Sequence, residues 1–162
     1  MASTISAATM TVTITEAVSL NGVDQGASNS LSVASVTEVY KRIVACPASV
    51  DTTVATFQTT VATTDNALDL ELVKYIRVTN LDDSNSVNLS LQIAIAEGGT
   101  ANSSCTILLE AGRSFIMGSP HDGIGADDDA ATVITAPFDL ESIVVDPTGN
   151  EVDVEVFIAS VS

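Results

Sequence analysis

Residues 72–95 read LVKYIRVTNLDDSNSVNLSLQIAI, and their periodicity decides the fold class. In the second half Val87, Leu89, Leu91, Ile93 and Ile95 alternate with Asn88, Ser90, Gln92 and Ala94. Successive side chains of an extended chain point to opposite faces, so this alternation describes a strand with one buried face. Residues 72–80 read as a second strong strand. The turn formers of LDDSN between the two predict a hairpin.

The same period recurs on either side. In MTVTITEAV (10–18) Met10, Val12 and Ile14 point one way and Thr11, Thr13 and Thr15 the other. NGVDQGASNS (21–30) is dense in turn formers and reads as the separator from the next strand. LSVASVTEVYKRIVAC (31–46) reads as one or two strands, its second part central in a sheet, stopped by Pro47, which cannot donate to a ladder. VATFQTTVAT (54–63) is a weaker strand, and SCTILLEAGRSFIMG gives two short ones broken at Glu110–Gly112. ATVITAPFDL, ESIVVD and EVDVEVFIAS follow, the last two joined by the proline–glycine turn DPTGN. No helical period is present; only Ser35–Tyr40 leaves room for one helical turn. The expectation is an all-β chain of eight to ten short strands, a single antiparallel, jelly-roll-like β-sandwich over 10–162 behind a flexible arm at 1–9.

Composition narrows the function. The 162 residues include 21 acids and 5 bases, for a net charge of −16, which excludes phosphate-neutralising partners such as nucleic acid and disfavours anionic membranes. Such acidity keeps an apolar chain soluble at some cost in self-repulsion. The bases Lys41, Arg42, Lys74, Arg77 and Arg113 all lie mid-chain, while 114–162 contains acids but no Lys or Arg. With Met10 in the first strand, they are the candidate interface residues. MASTISAATM has neither the basic start nor the apolar run of a signal peptide, and no stretch has the 18 uninterrupted apolar residues of a membrane helix. Cys46 and Cys105 read as buried thiols within strands, a disulfide between them remaining open.

The chemistry-bearing residues gather in HDGIGADDDAA (121–131), which holds the only histidine. His121 has no nucleophile to serve, since no G-x-S-x-G elbow exists, and GIG lacks the third glycine and the helix of a dinucleotide loop. Asp122, Asp127 and Asp129 are the candidate cation ligands, but their spacing does not match the twelve-residue EF-hand loop and no closing glutamate follows. A solvated acidic loop is the expectation, with no metal and no cofactor. The sequons at Asn88 and Asn102 matter only in a secreted glycoprotein. A sugar-stacking platform would have to use Tyr40 or Tyr75, which read as core or interface residues.

Together EVYKRIVACP, VKYIRVTNLDDSNSVNLSLQIA, LEAGRSFIMGS and ESIVVDPTGNEVDVEVFIAS resemble small virion structural proteins of tailed bacteriophages, notably those of marine and cyanobacterial hosts, over about residues 36–160. The resemblance implies a non-enzymatic capsid decoration, or cement, protein made in the host cytoplasm. It would sit on the outer capsid surface, bind the major capsid protein and itself, as a homotrimer, and stabilise capsomer contacts. A tail, collar or fibre component is the alternative within that class. A receptor- or glycan-binding sandwich, a surface-layer subunit and an enzyme follow in that order.

Overall fold

The computed structural model describes residues 5–58, 61, 66–94, 102–118, 125–126 and 138–162. In chain order the elements are β1 (Ala8–Glu16), β2 (Ser19–Leu20), β3 (Val23–Asp24), β4 (Ala27–Cys46), β5 (Thr52–Gln58), β6 (Leu68–Asp69), a 3-10 turn (Leu70–Leu72), β7 (Val73–Asn80), β8 (Val87–Ala94), β9 (Asn102–Leu109), β10 (Ser114–Gly118), β11 (Gly125–Ala126), β12 (Phe138–Pro147) and β13 (Val152–Val161). One sheet has the order β1-β4-β13-β7-β10 and the other β6-β5-β12-β8-β9, with β11 on β12. Pairing within both sheets is antiparallel except between β5 and β6. The chain is therefore an all-β sandwich.

Alternation builds the core. Val87, Leu89 and Leu91 of β8 face Ile76 and Val78 of β7 and Val152, Val154, Val156 and Ile158 of β13, with Phe57, Ile143 and Val145 completing the cluster. Each such side chain contributes on the order of 1.5–3 kcal/mol when fully buried.

The predicted β7–β8 hairpin does not form. β7 bonds β13 and β10, while β8 bonds β12 and β9 in the opposite sheet. LDDSN is thus a corner between sheets, and Asn80, fully buried, holds it. Its amide donates to the carbonyls of Asn85 (2.8 Å) and Leu109 (3.2 Å), and its Oδ1 accepts from the Asp82 amide (3.0 Å). Asp82 Oδ1 in turn accepts from the amides of Ser84 (2.8 Å) and Asn85 (2.6 Å), which holds its carboxyl below the usual range. Side-chain bonds thus complete the turn where a hairpin would use ladder bonds.

Three further expectations are corrected. Residues 27–30 belong to β4 rather than to a separator, because Ala27–Ser30 pair with Thr13–Glu16. Only Asn21–Gly22 forms the tight turn, with φ of 51° and 78°, as an Asn-Gly hairpin turn requires. The helical turn falls at Leu70–Leu72, where the Asp69 carboxylate accepts from the Glu71 amide (3.1 Å), and Ser35–Tyr40 stays in β4. The second part of β4 is not central: among the described residues, the ladder from Glu38 to Cys46 runs to β13 alone, and only Val36 also meets β1.

Cys46 is buried, and burial pushes its thiol up; Cys105 is exposed on β9, contrary to expectation, and both are free. His121, Asp122, Asp127 and Asp129 lie outside the described residues. Gly125 and Ala126, between them, pair with Asp139 and Phe138.

Candidate functional site

β1 and the first half of β4 form a two-stranded ribbon whose faces differ. Met10 opposes Val33, Val12 opposes Leu31 and Ile14 opposes Asn29, giving an apolar face. Thr13 opposes Ser30 and Thr15 opposes Ser28, their hydroxyls paired at 3.0 and 3.1 Å. At the root of the ribbon Ser35 takes a left-handed conformation (φ 59°), and both ladders shift register nearby, between Ala8 and Met10 and between Ser160 and Val161. Bulges of this kind bend a strand and re-aim its side chains.

The bend turns the apolar face onto the sheet. Val33 and Val36 form a second core with Tyr75 and Ala159, against which Met10, Val12, Leu31 and Phe157 pack. A Cβ built on Gly118, in β10, would lie 3.5 Å from Leu31 Cδ2. The ribbon therefore crosses the outer face from β4 toward β10. Beyond Leu31 the apolar side chains stay exposed: Ile14 is 47% exposed, Val18 44%, Leu20 61% and Val23 58%. At the base of the tip, Gly26 is obligatory, since a Cβ there would lie 2.2 Å from the Glu16 carbonyl oxygen.

Beside the ribbon the sheet carries an ion triad. Lys41, Phe157, Arg77 and Ile116 form one row across β4, β13, β7 and β10; Ile43, Glu155, Thr79 and Ser114 form the next. The mostly buried Glu155 carboxylate accepts from Arg77 and lies 3.2 Å from Lys41 Nζ. The Arg77 hydrogen bond, then that from Lys41, holds the Glu155 carboxyl below its ordinary range. Arg77 also donates to Thr79 Oγ1 (2.7 Å) and stands 5.8 Å from the Phe157 ring centroid, whose edge meets Tyr75 at 6.0 Å. Burial pushes the Tyr75 phenol up.

Of the candidate interface residues, the structure brings together Met10, Lys41 and Arg77 on this face. Lys74 is buried, its ammonium donating to the Glu71 carbonyl (3.2 Å). Arg42 lines the gap between the sheets with Tyr40 and Thr53–Thr56, and Arg113 lies at the far end with Ser84, Leu108 and Glu110. Sequence reasoning missed Glu155 and the distal stripe. The signal for the stripe was present, since Asn-Gly flanked by alternating apolar residues is the strongest short hairpin signal. Among the described residues no group of three or more His, Cys, Asp or Glu could hold a metal, and no helix is long and apolar enough to cross a membrane. No family model, curated protein or solved structure matches the chain.

Proposed function

We propose that this chain is a non-enzymatic virion structural protein, a decoration protein that clamps neighbouring subunits on the outer surface of a bacteriophage capsid. One observation carries the reading: the apolar stripe of the β1–β4 ribbon begins in the chain's own second core and runs past it, exposing Ile14, Val18, Leu20 and Val23. A two-stranded ribbon is marginal in water alone, and contiguous exposed apolar surface marks contact sites. The ribbon is fixed at its root by the Ser35 bend and carries exposed apolar side chains at its tip, as an inter-subunit strap requires. Self-association through a closed ring, as a trimer, would also cover the edges of β1 and β10 that meet no further strand among the described residues. The acidity of the chain excludes packaged nucleic acid as the partner.

The test has two parts. Purified phage particles that carry this chain should hold on the order of hundreds of copies, as a lattice of repeated capsomers demands. A handful to a few dozen copies would place it in the tail or collar instead. Replacing Ala17–Gln25 with a two-residue Asn-Gly turn should leave the melting temperature nearly unchanged, because no residue of that span lies in either core. The same change should convert the oligomer to a monomer and abolish particle binding; an unchanged oligomer that still decorates particles would refute the strap.

A further inference from the structure

The outer face of the second sheet is built differently from the first, and its side chains are almost wholly polar. Asp146 opposes Asn88, Val144 opposes Ser90 and Ser142 opposes Gln92 across β12 and β8, and Ser90 opposes Thr106 on β9. The Ser49 amide donates to the Pro147 carbonyl (2.9 Å), which brings the loop before β5, and with it Asp51, alongside Asp146. Asp51, Asn88, Ser90, Gln92, Thr106, Val144 and Asp146 line one groove of about 260 Å³.

Several side chains there already restrain one another. Gln92 donates to Ser90 Oγ (2.7 Å), as does Thr106 (3.2 Å). Asp146 is different: its Oδ1 is shielded from solvent yet has no hydrogen-bond partner among the described residues. A shielded carboxylate oxygen without a donor is costly, and Asp51 adds a second carboxylate to the lining of the same groove. A ligand would meet Asp146 through its other carboxylate oxygen, and two carboxylate residues lining one groove favour a ligand that brings hydrogen-bond donors.

The groove's chemistry decides which ligand. No Lys or Arg lines it, so a phosphate, sulfate or uronate would meet only repulsion. A divalent calcium ion needs six to eight converging oxygens, and two carboxylates on a sheet face do not supply them. A neutral polyol fits each feature. Its hydroxyls donate to Asp146 and Asp51 while accepting from the amides of Asn88 and Gln92, and its C–H face rests on Val144. The volume lies below the roughly 300–1,000 Å³ of drug-sized sites, which suits one or two sugar rings. We propose that this groove is a binding site for a neutral saccharide, held through its hydroxyl groups by Asp51, Asn88, Gln92 and Asp146.

Ligand-observed NMR and calorimetry with the full chain test this, using glucose, galactose, mannose, N-acetylglucosamine and their disaccharides. At least one should bind with a dissociation constant of about 10 mM or tighter, indifferent to ionic strength. Asp146→Asn should weaken it about tenfold or more, since a site built for a hydroxyl donor loses an acceptor, and Asn88→Ala should do likewise. Both side chains face outward on the sheet, and an unchanged melting curve would confirm that the variants fold. No binding by any of these sugars, or binding indifferent to Asp146→Asn, would overturn the proposal. So would calcium binding, lost in Asp51→Asn and weakened by salt, in place of sugar binding.

Discussion

Glu155 shows how one side chain can tie three strands through charge alone. It lies on β13 between Lys41 of β4 and Arg77 of β7, and its folded-state carboxyl is depressed chiefly by the Arg77 hydrogen bond. A depressed carboxylate contributes stability above its unfolded value of about 4.3, and that contribution is lost as pH falls through the folded value. Glu155→Gln should therefore cost about 1–2 kcal/mol at pH 7, the scale of a charged hydrogen bond. The deficit should shrink as pH falls below about 4.3, where the unfolded chain takes up the proton first, and vanish below the depressed folded value; urea titrations at neutral pH and in this acid range yielding equal deficits would contradict this. Asn80 supports the fold by neutral bonds instead. Asn80→Ala strands the carbonyls of Asn85 and Leu109 and should cost about 2–3 kcal/mol, with an unchanged denaturant slope. A loss under about 0.5 kcal/mol would mean the corner holds itself without that side chain.

The ribbon and the corners are the elements where pattern alone misleads. Alternation in 10–16 and the Asn-Gly turn at 21–22 were legible, and they place β1 and the hairpin tip. The bend was not, because Ser35 looks like any other serine in a strand, and only the two register shifts reveal the left-handed residue there. Ser35→Gly should be neutral or stabilising by up to about 1 kcal/mol, since glycine adopts positive φ freely. Ser35→Val should cost about 1–2 kcal/mol and loosen the second core, read as faster amide exchange at Val33 and Tyr75. If valine were as well tolerated as glycine, the bend would be incidental. A similar ambiguity hid the corners. LDDSN and DPTGN carry the residues of tight turns, and a tight turn serves a hairpin within one sheet or an arch between two equally well. What separates them is whether each strand already has partners on both edges, as β7 and β8 do.

For the whole molecule, charge and burial pull in opposite directions. The chain holds a well-filled apolar core against 16 excess negative charges, so screening should help it. Raising sodium chloride from about 10 mM to about 500 mM at pH 7 shortens the screening length from roughly 30 Å to under 10 Å and should raise the melting temperature by several degrees. A flat or falling curve would mean that ion pairs such as the Glu155 triad outweigh the repulsion. The sequence by itself determined the all-β class, the positions of most strands and, in strands such as β8 and β13, the face that is buried, because side-chain direction in a strand follows from local period alone. Which strands pair, where the ribbon folds back, that Glu155 meets Lys41 and Arg77, and that Asp51, Asn88 and Asp146 share a groove were decided only by the tertiary structure. Apart from pairs close in the chain such as β1–β4 and β8–β9, those contacts join residues from about 30 to more than 100 positions apart, and their register is set by packing two sheets together, which no local pattern encodes.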